Sequence, residues 1–219
     1  MRDLVLIGGG EHACVVAEAV AAMGTHRLLG FVDPAPSAHA DSHGFVHLGT
    51  DDALDRFHEA DLCLGFGSIG PADHRLRIAT ALEARGFTFA VVIHPSAVIS
   101  PSACIGSGTV ICAGAVVQTN AWIGRHNIIN TGAIVEHDVQ LGDHVQLAPR
   151  ATLGGSTRIG MGTFIGLHAA VRDHLRIGAF VTIGMGAAVT ADLPDGTTAV
   201  GVPARIVSRQ SLQHAGQRA

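Results

Sequence analysis

A six-residue repeat in the C-terminal half of the chain most constrains its fold. From Ile99 to Val189 every sixth position is Ile, Leu or Val, 16 positions out of 16. This period matches neither an α-helix nor a simple alternating strand, and it favours one short strand per hexapeptide with a tight turn between strands. Three hexapeptides then close a triangular coil, and coils stack roughly 4.8 Å apart. Residues 97–190 therefore predict about five coils of a parallel β-helix with an aliphatic interior.

The composition excludes several classes of protein. With 47% hydrophobic and 15% charged residues, the chain can bury a core and is not a disordered protein. All 14 basic residues are Arg, and Lys and Tyr are absent, which excludes a Schiff-base lysine, a P-loop lysine and a tyrosine acid or base. The formal net charge of −4, without charge runs, predicts no nucleic-acid partner.

The cysteines and the hydropathy pattern indicate a cytoplasmic protein. Cys14, Cys63, Cys104 and Cys112 form no CxxC pair, so we expect reduced thiols in the core rather than a disulfide framework. The first residues read as a strand and not as a signal peptide. Because no uncharged apolar run reaches 18 residues, we also expect no membrane partner.

The first 95 residues alternate strands with helices, which favours a parallel sheet with a ligand at the carboxyl ends of its strands. The predicted strands are Leu4–Ile7, Leu28–Val32, Asp61–Phe66 and Phe89–Ile93. The predicted helices are Ala13–Met23, Asp51–His58 and Pro71–Arg85. Residues 35–49 are predicted as a loop, and residues 208–219 as a frayed polar tail.

A glycine-rich turn follows the first predicted strand. Gly8, Gly10 and Ala13 have the G-x-G-x-x-A spacing of a dinucleotide fingerprint, and Asp33 follows at the distance of a ribose contact. Glycine admits a ligand close to the backbone, and a helix N-terminus favours phosphate. Four strands form only one mononucleotide half, which favours a sugar-nucleotide site over a redox NAD site. A purely structural turn is the third interpretation.

Several short motifs, taken together with the repeat, resemble one family. They are Gly8–His12, His94–Ala97, Asn130–Thr131, Glu136–Asp138 and Gly201–Arg205. The chain is similar to the sialic acid O-acetyltransferase-like sugar acyltransferases. These hexapeptide-repeat enzymes include the N-acetyltransferases of UDP-linked 4-amino sugars and of GDP-perosamine. The resemblance implies an α/β Rossmann-like domain over residues 1–95, followed by a left-handed parallel β-helix over residues 96–207. It also implies a homotrimer with sites between subunits, acetyl-CoA as co-substrate and no metal.

The resemblance also assigns residues to roles. It implies His137 as the general base for the sugar amine and Asp138 as the group that orients its imidazole. An imidazole with a pKa near 6.5 can accept a proton at neutral pH. The implied contacts to the nucleotide sugar are Gly10, Glu11, His12, Asp33, Pro34, Gly67 and Asn130. The implied contacts to acetyl-CoA are Gln146, Gly155, Leu167, Met185 and Arg205, with backbone N–H groups near Gly155 as oxyanion donors.

Some positions depart from the family or allow another interpretation. The family commonly carries a second histidine where this chain has Gln146, and Glu is also found at the position of Asp138. Glu136 is a rival partner for the imidazole. Without the resemblance, a solvated corner residue is the favoured interpretation of His137. Arg150 is either a phosphate contact or a surface residue, and His12 is either a ligand contact or a helix-start residue.

Two further histidines introduce a metal alternative. His126 and His144 lie 18 positions apart, so they are predicted to stack on adjacent coils, either as a metal pair or as an exposed polar ladder. A metal-dependent hydratase is therefore one alternative function. The others are a sugar O-acetyltransferase and a nucleotide-binding module without catalysis.

Overall fold

The N-terminal region is a small parallel sheet flanked by helices. A computed structural model describes residues 1–70 and 72–209. In chain order the first elements are β1 Arg2–Ile7, α1 Glu11–Met23, β2 His26–Val32, α2 Ala38–Ser42, β3 His47–Gly49, a 3₁₀ helix Asp51–Arg56, β4 Asp61–Leu64 and α3 Asp73–Ala84. The strands pair in the order β3-β2-β1-β4, all parallel. This order confirms the predicted parallel sheet.

The prediction of elements was wrong in two places. The segment predicted as a loop contains α2 and β3, and β3 joins the sheet beside β2. The predicted fourth strand does not extend the sheet, because Phe89 makes only an isolated bridge to Leu62. Helix α1 ends as predicted, at Gly24, whose φ of 70° is the left-handed conformation that glycine favours at a helix end. The predicted start of the third helix, Pro71, lies outside the described residues.

The C-terminal region is a parallel β-helix built from two-residue strands. These are β5 Val92–Ile93, β6 Val98–Ile99, β7 Cys104–Ile105, β8 Val110–Ile111, β9 Val116–Val117, β10 Trp122–Ile123, β11 Ile128–Ile129, β12 Ile134–Val135, β13 Gln140–Leu141, β14 Gln146–Leu147, β15 Thr152–Leu153, β16 Arg158–Ile159, β17 Phe164–Ile165, β18 Ala170–Val171, β19 Arg176–Ile177, β20 Thr182–Ile183 and β21 Ala188–Val189. The longer β22 Thr197–Val200 and β23 Arg205–Arg209 follow.

The strands form three flat faces of a triangular prism. Face 1 runs from β5 to β20 and continues into β22 and β23, face 2 runs from β6 to β21, and face 3 runs from β7 to β19. Residues 18 apart pair directly, as Ile129 does with Leu147. The repeated aliphatic side chains fill one continuous core, which confirms the predicted left-handed β-helix.

A left-handed backbone residue recurs in each turn of the prism. Every sixth residue from Gly108 to Gly186 has a positive φ near 60°. Nine of these positions are not glycine, including Asp138, His144 and His174. Because this conformation is uncommon for side-chain-bearing residues, the stacked coils must stabilise it. The backbone N–H of Asp138, for example, donates to the carbonyl of Thr119 in the preceding coil at 3.0 Å.

The β-helix begins before the predicted domain boundary. Val92–Ile93 already pairs with Val110–Ile111 on face 1, and the sheet packs its helix α1 against this end of the face. The division of the chain into domains at residues 1–95 and 96–207 stays a prediction. Three of the four cysteines are buried as expected, whereas Cys104 is exposed. Residues 210–219 of the predicted tail lie outside the described residues.

Candidate functional site

A cleft of about 560 Å³ opens at the carboxyl ends of β1 and β4. Gly10 to His12, at the start of α1, form one wall, and the loop after β4 forms another. Four of the predicted sugar-nucleotide residues, Gly10, Glu11, His12 and Gly67, line this cleft. The site therefore lies at the edge of the sheet where a parallel α/β fold receives its ligand.

His12 is the most perturbed side chain in this cleft. Burial, with a smaller contribution from the charge of Arg75, lowers the pKa of His12 to about 4. Its Nε2 atom is buried and has no hydrogen-bond partner among the described residues. At neutral pH His12 is thus an uncharged imidazole with one unsatisfied ring nitrogen, which a bound ligand can satisfy.

Asp33 and Pro34 lie next to the cleft and are not among the residues that line it. The two carboxylate oxygens of Asp33 accept hydrogen bonds from the backbone N–H groups of Gly9, at 3.0 Å, and Ala35, at 3.3 Å. In this structure Asp33 therefore stabilises the glycine turn. Its predicted contact with a ribose stays a prediction.

His137 lies at the corner between faces 2 and 3, with Asp138 beside it. The two side chains are 2.9 Å apart, from Nδ1 of His137 to Oδ2 of Asp138, and both are more than half exposed. Because a carboxylate only accepts hydrogen bonds, Nδ1 carries the proton and Nε2 is left as an acceptor. The bond from His137, and a second from Asn120 at 3.3 Å, lower the pKa of Asp138 below its usual value.

The rival partner of the imidazole is engaged elsewhere. Glu136 accepts a hydrogen bond from the backbone N–H of His137 at 3.3 Å and makes no bond to the ring. Asp138 has the left-handed φ of 58° that recurs in each turn, and its carboxylate bonds to the ring of the residue directly before it. Such a pairing holds an imidazole in one tautomer.

Gly155 lies under the imidazole, 18 residues and one coil further on. A Cβ atom at this position would be 2.6 Å from both Cε1 and Nε2 of His137. The backbone N–H of Ser156 donates to the carbonyl of His137 at 2.9 Å, and this bond joins the two neighbouring coils at this corner. The ring therefore fits against Gly155 because this residue has no side chain.

The remaining predicted site residues lie at other places on the prism. Asn130, Leu167 and Met185 lie at the corner between faces 1 and 2, where Leu167 is 45% and Met185 78% exposed. Arg205 begins β23. Gln146 lies on face 1 and lines the cleft of the sheet domain. One chain therefore does not bring His137, at the corner opposite face 1, together with the cleft.

Arg75 is a buried residue of this region that the sequence analysis missed. It is 1% exposed and forms no ion pair with a carboxylate of the described residues, and burial lowers its pKa to about 10. Its guanidinium donates to the carbonyl of Phe66 and, at 3.1 Å, to that of His126. Arg75 lies in an ordinary-looking helix, so no sequence signal marked it.

His126 and His144 stack as predicted, with ring centroids 4.9 Å apart and an angle of 13° between planes. The expectation of an exposed ladder was wrong, because the sheet domain covers both rings and Glu83 of α3 bonds to Nε2 of His126 at 2.9 Å. No group of three possible metal ligands occurs within residues 1–70 and 72–209. Through the bond to Glu83, the pair is part of the contact between the β-helix and the sheet domain.

This buried pair predicts a loss of stability in acid. Burial, with a smaller contribution from His126, lowers the pKa of His144 to about 4. The unfolded chain binds a proton near pH 6.5 and the folded chain only near pH 4, so stability is complete above pH 6.5 and falls as pH decreases. Between pH 7 and pH 5 one such group lowers the free energy of unfolding by about 2 kcal/mol.

We expect His144→Phe to remove the part of the acid dependence that His144 contributes, measured by chemical denaturation at pH 7 and pH 5, whereas the part contributed by His12 remains. His174→Phe is the matched control, because His174 is exposed and has the same left-handed backbone. An equal acid response in the parent, His144→Phe and His174→Phe would contradict the assignment.

Comparison with known proteins identifies both halves of the chain. Residues 3–82 match the family described as PglD N-terminal domain, and residues 120–155 match the bacterial transferase hexapeptide family. The UDP-N-acetylbacillosamine N-acetyltransferase of Bacillus subtilis (strain 168) is 38% identical over 115 residues, which cover 52% of this chain and 52% of that protein.

Two solved structures match almost the whole chain. The acetyltransferase domain of PglB from Neisseria gonorrhoeae FA1090, in complex with acetyl coenzyme A, is 39% identical with a TM-score of 0.87, covering 94% of this chain and 99% of that one. PerB from Caulobacter crescentus, in complex with CoA and GDP-perosamine, is 38% identical with a TM-score of 0.84, covering 95% and 98%.

The described part of the chain contains no helix long and apolar enough to cross a membrane.

The match to the Neisseria domain extends over both the sheet domain and the β-helix, at an identity well above that of a shared fold alone. This chain therefore belongs to the sialic acid O-acetyltransferase-like sugar acyltransferases, the hexapeptide-repeat family that carries a PglD N-terminal domain.

Proposed function

We propose that this protein transfers the acetyl group of acetyl-CoA to the amino group of a nucleotide-linked 4-amino-4,6-dideoxy sugar. The observation that carries the proposal is the His137–Asp138 pair, which leaves Nε2 of an exposed imidazole free to accept a proton. The similar proteins support this choice of substrates, because one is a UDP-N-acetylbacillosamine N-acetyltransferase and the structure of another contains CoA and GDP-perosamine.

The reaction needs one proton acceptor and no acyl-enzyme. The sugar amine attacks the thioester carbon, a C–N bond forms, and the C–S bond breaks to release the CoA thiol. Nε2 of His137 accepts the proton that the amine loses and passes it to the departing sulfur, so that CoA leaves as the thiol. Asp138 stabilises the transient imidazolium through Nδ1. The N–H of Gly155, beneath the ring, is our proposed donor to the oxyanion.

The two ligands occupy different parts of the molecule in this proposal. The nucleotide lies in the cleft of the sheet domain, against Gly10, Glu11, His12 and Gly67, with Asp33 and Pro34 behind the turn. The acyl-CoA lies along the prism, where Leu167 and Met185 offer exposed apolar surface and Arg205 a positive charge. Asn130, at the same corner, is proposed to contact the sugar.

We propose a homotrimer, because the site residues lie at opposite ends of face 2. The outward side chains of this face carry no charge; they are Val98, Val116, Ile134, Thr152, Ala170 and Ala188. If face 2 of each copy is turned toward a three-fold axis, the His137 corner of one copy meets the Leu167 corner of the next. This arrangement combines a polar site between subunits with an apolar centre.

A turnover assay with amino and hydroxy acceptors tests the activity. We expect the purified protein to release free thiol from acetyl-CoA in the presence of UDP-, GDP- or dTDP-linked 4-amino sugars, and the product to gain one acetyl group on nitrogen by mass spectrometry and NMR. Acetylation of a sugar hydroxyl instead would favour an O-acetyltransferase. Binding without thiol release would favour a nucleotide-binding module.

Sedimentation and subunit mixing test the assembly. We expect a trimer by analytical ultracentrifugation, and we expect two inactive variants, His137→Ala and Leu167→Asp, to regain part of the activity when they are refolded together. A site contained in one chain would give no recovery.

Because both substrates are metabolites of the cytoplasm, we place the reaction there.

A further inference from the structure

Gln146 links the β-helix to the cleft of the sheet domain. It is the first residue of β14 on face 1, and its Oε1 accepts a hydrogen bond from the backbone N–H of Ser68 at 2.9 Å. The same side chain packs on Gly67, where a Cβ atom would be 3.1 Å from both Nε2 and Oε1. The bond joins residues 78 positions apart in the chain.

The segment that Gln146 contacts, residues 65–70, is called here the cleft loop. It follows β4 at the carboxyl edge of the sheet and faces the start of α1 across the cleft. Arg75 forms a second link, because its guanidinium bonds to Phe66 in the loop and to His126 in the β-helix. The β-helix therefore sets the conformation of the cleft loop through two polar contacts.

The Ser68 contact fixes which way the amide of Gln146 points. A backbone N–H only donates, so the atom that faces Ser68 must be the carbonyl oxygen Oε1. The two protons of Nε2 remain available to a ligand in the cleft. A nucleotide-linked sugar offers acceptors of the required kind, since its phosphate and hydroxyl oxygens all accept hydrogen bonds.

We propose that Gln146 is a positioning residue of the nucleotide-sugar site: it holds the cleft loop through Ser68 and donates from Nε2 to an oxygen of the bound nucleotide sugar. This inference rests on the proposed function. It differs from the role that the resemblance implies, in which Gln146 contacts acetyl-CoA. The two roles predict losses of affinity for different ligands.

Calorimetric titration with UDP, GDP and CoA separates the two roles. We expect Gln146→Ala to weaken binding of the preferred nucleoside diphosphate about tenfold and to change the Kd of CoA by less than about twofold. Gln140→Ala is the matched control, because Gln140 begins the preceding strand β13 and is exposed. We expect this control to leave both affinities unchanged.

Gln146→Glu separates the link to the loop from the donation to the ligand. A carboxylate still accepts from Ser68 but has no proton to donate and repels a diphosphate. We therefore expect hydrogen exchange at the Ser68 amide to stay slow in Gln146→Glu and to become fast in Gln146→Ala, while both variants bind the nucleotide weakly. This readout remains valid if either variant is less stable, because exchange is measured on the folded protein.

Gly67→Ala provides a second test through coupling. In the parent we expect its Cβ to displace the Gln146 amide and to weaken nucleotide binding, whereas in the Gln146→Ala background the added methyl group finds space. Strictly additive effects would overturn the proposal. A selective loss of CoA affinity in Gln146→Ala would also overturn it. If the parent acetylates an amino sugar and Gln146→Ala binds nucleotide normally, only this inference fails; if the parent binds no nucleoside diphosphate, the proposed function fails with it.

Discussion

Replacing His137 with alanine is expected to lower kcat by about 10²–10⁴-fold, the usual contribution of a positioned general base. The side chain is exposed and its hydrogen bonds are confined to the corner, so the fold does not depend on it. Initial rates of thiol release over a range of pH measure the effect.

The controls for His137→Ala separate catalysis from binding and assembly. The Kd values of CoA and of the nucleotide, and the sedimentation coefficient, should match those of the parent. His174→Ala changes another exposed histidine at the same corner of the prism and should retain full activity. Parent-like turnover in His137→Ala would reject the role that we propose for this residue.

Gly155→Ala is expected to reduce kcat by about 100-fold, although the substitution adds a single methyl group. The new Cβ would be 2.6 Å from two ring atoms of His137, so the imidazole must move away from its position. A displacement of about 1 Å of a reacting group is sufficient for a loss of this size. Steady-state kinetics at saturating substrate concentrations measure it.

The double variant is the control for Gly155→Ala. If the methyl group acts by displacing the imidazole, it should cause no further loss of activity in the His137→Ala background. Gly155 does not have a left-handed backbone, so alanine should leave the free energy of unfolding unchanged or raise it slightly. A marked fall in the melting temperature of Gly155→Ala would instead indicate that the methyl group distorts the coil.

The His137–Gly155 contact shows which contacts the six-residue repeat predicts and which it does not. Stacking places residues 18 apart next to each other in neighbouring coils, so the position of Gly155 beside His137 follows from the period alone. The period also predicted the stacking of His126 on His144. It did not predict that both rings are buried, because their cover, with Phe89 at 4.7 Å from His126, comes from a different part of the chain.

The N-terminal half was less predictable for the same reason. Short elements such as α2 and β3 were predicted as loop, since five and three residues leave no measurable period. The strand predicted over Phe89–Ile93 consists of apolar residues that satisfy either the sheet or the β-helix. Pairing with β8 assigns Val92 and Ile93 to the β-helix, and no local preference distinguishes the two partners.

The amino-acid sequence by itself determined the β-helix, the parallel sheet and the corner that carries His137 beside Asp138. These features depend on residues that are close in the chain or that repeat at a constant interval, so local geometry carries them. Only the tertiary structure decided that Gln146 binds Ser68 and that Arg75 joins the two domains. Such contacts connect distant segments through side chains that have several possible partners, and the docking of one domain on the other selects among them.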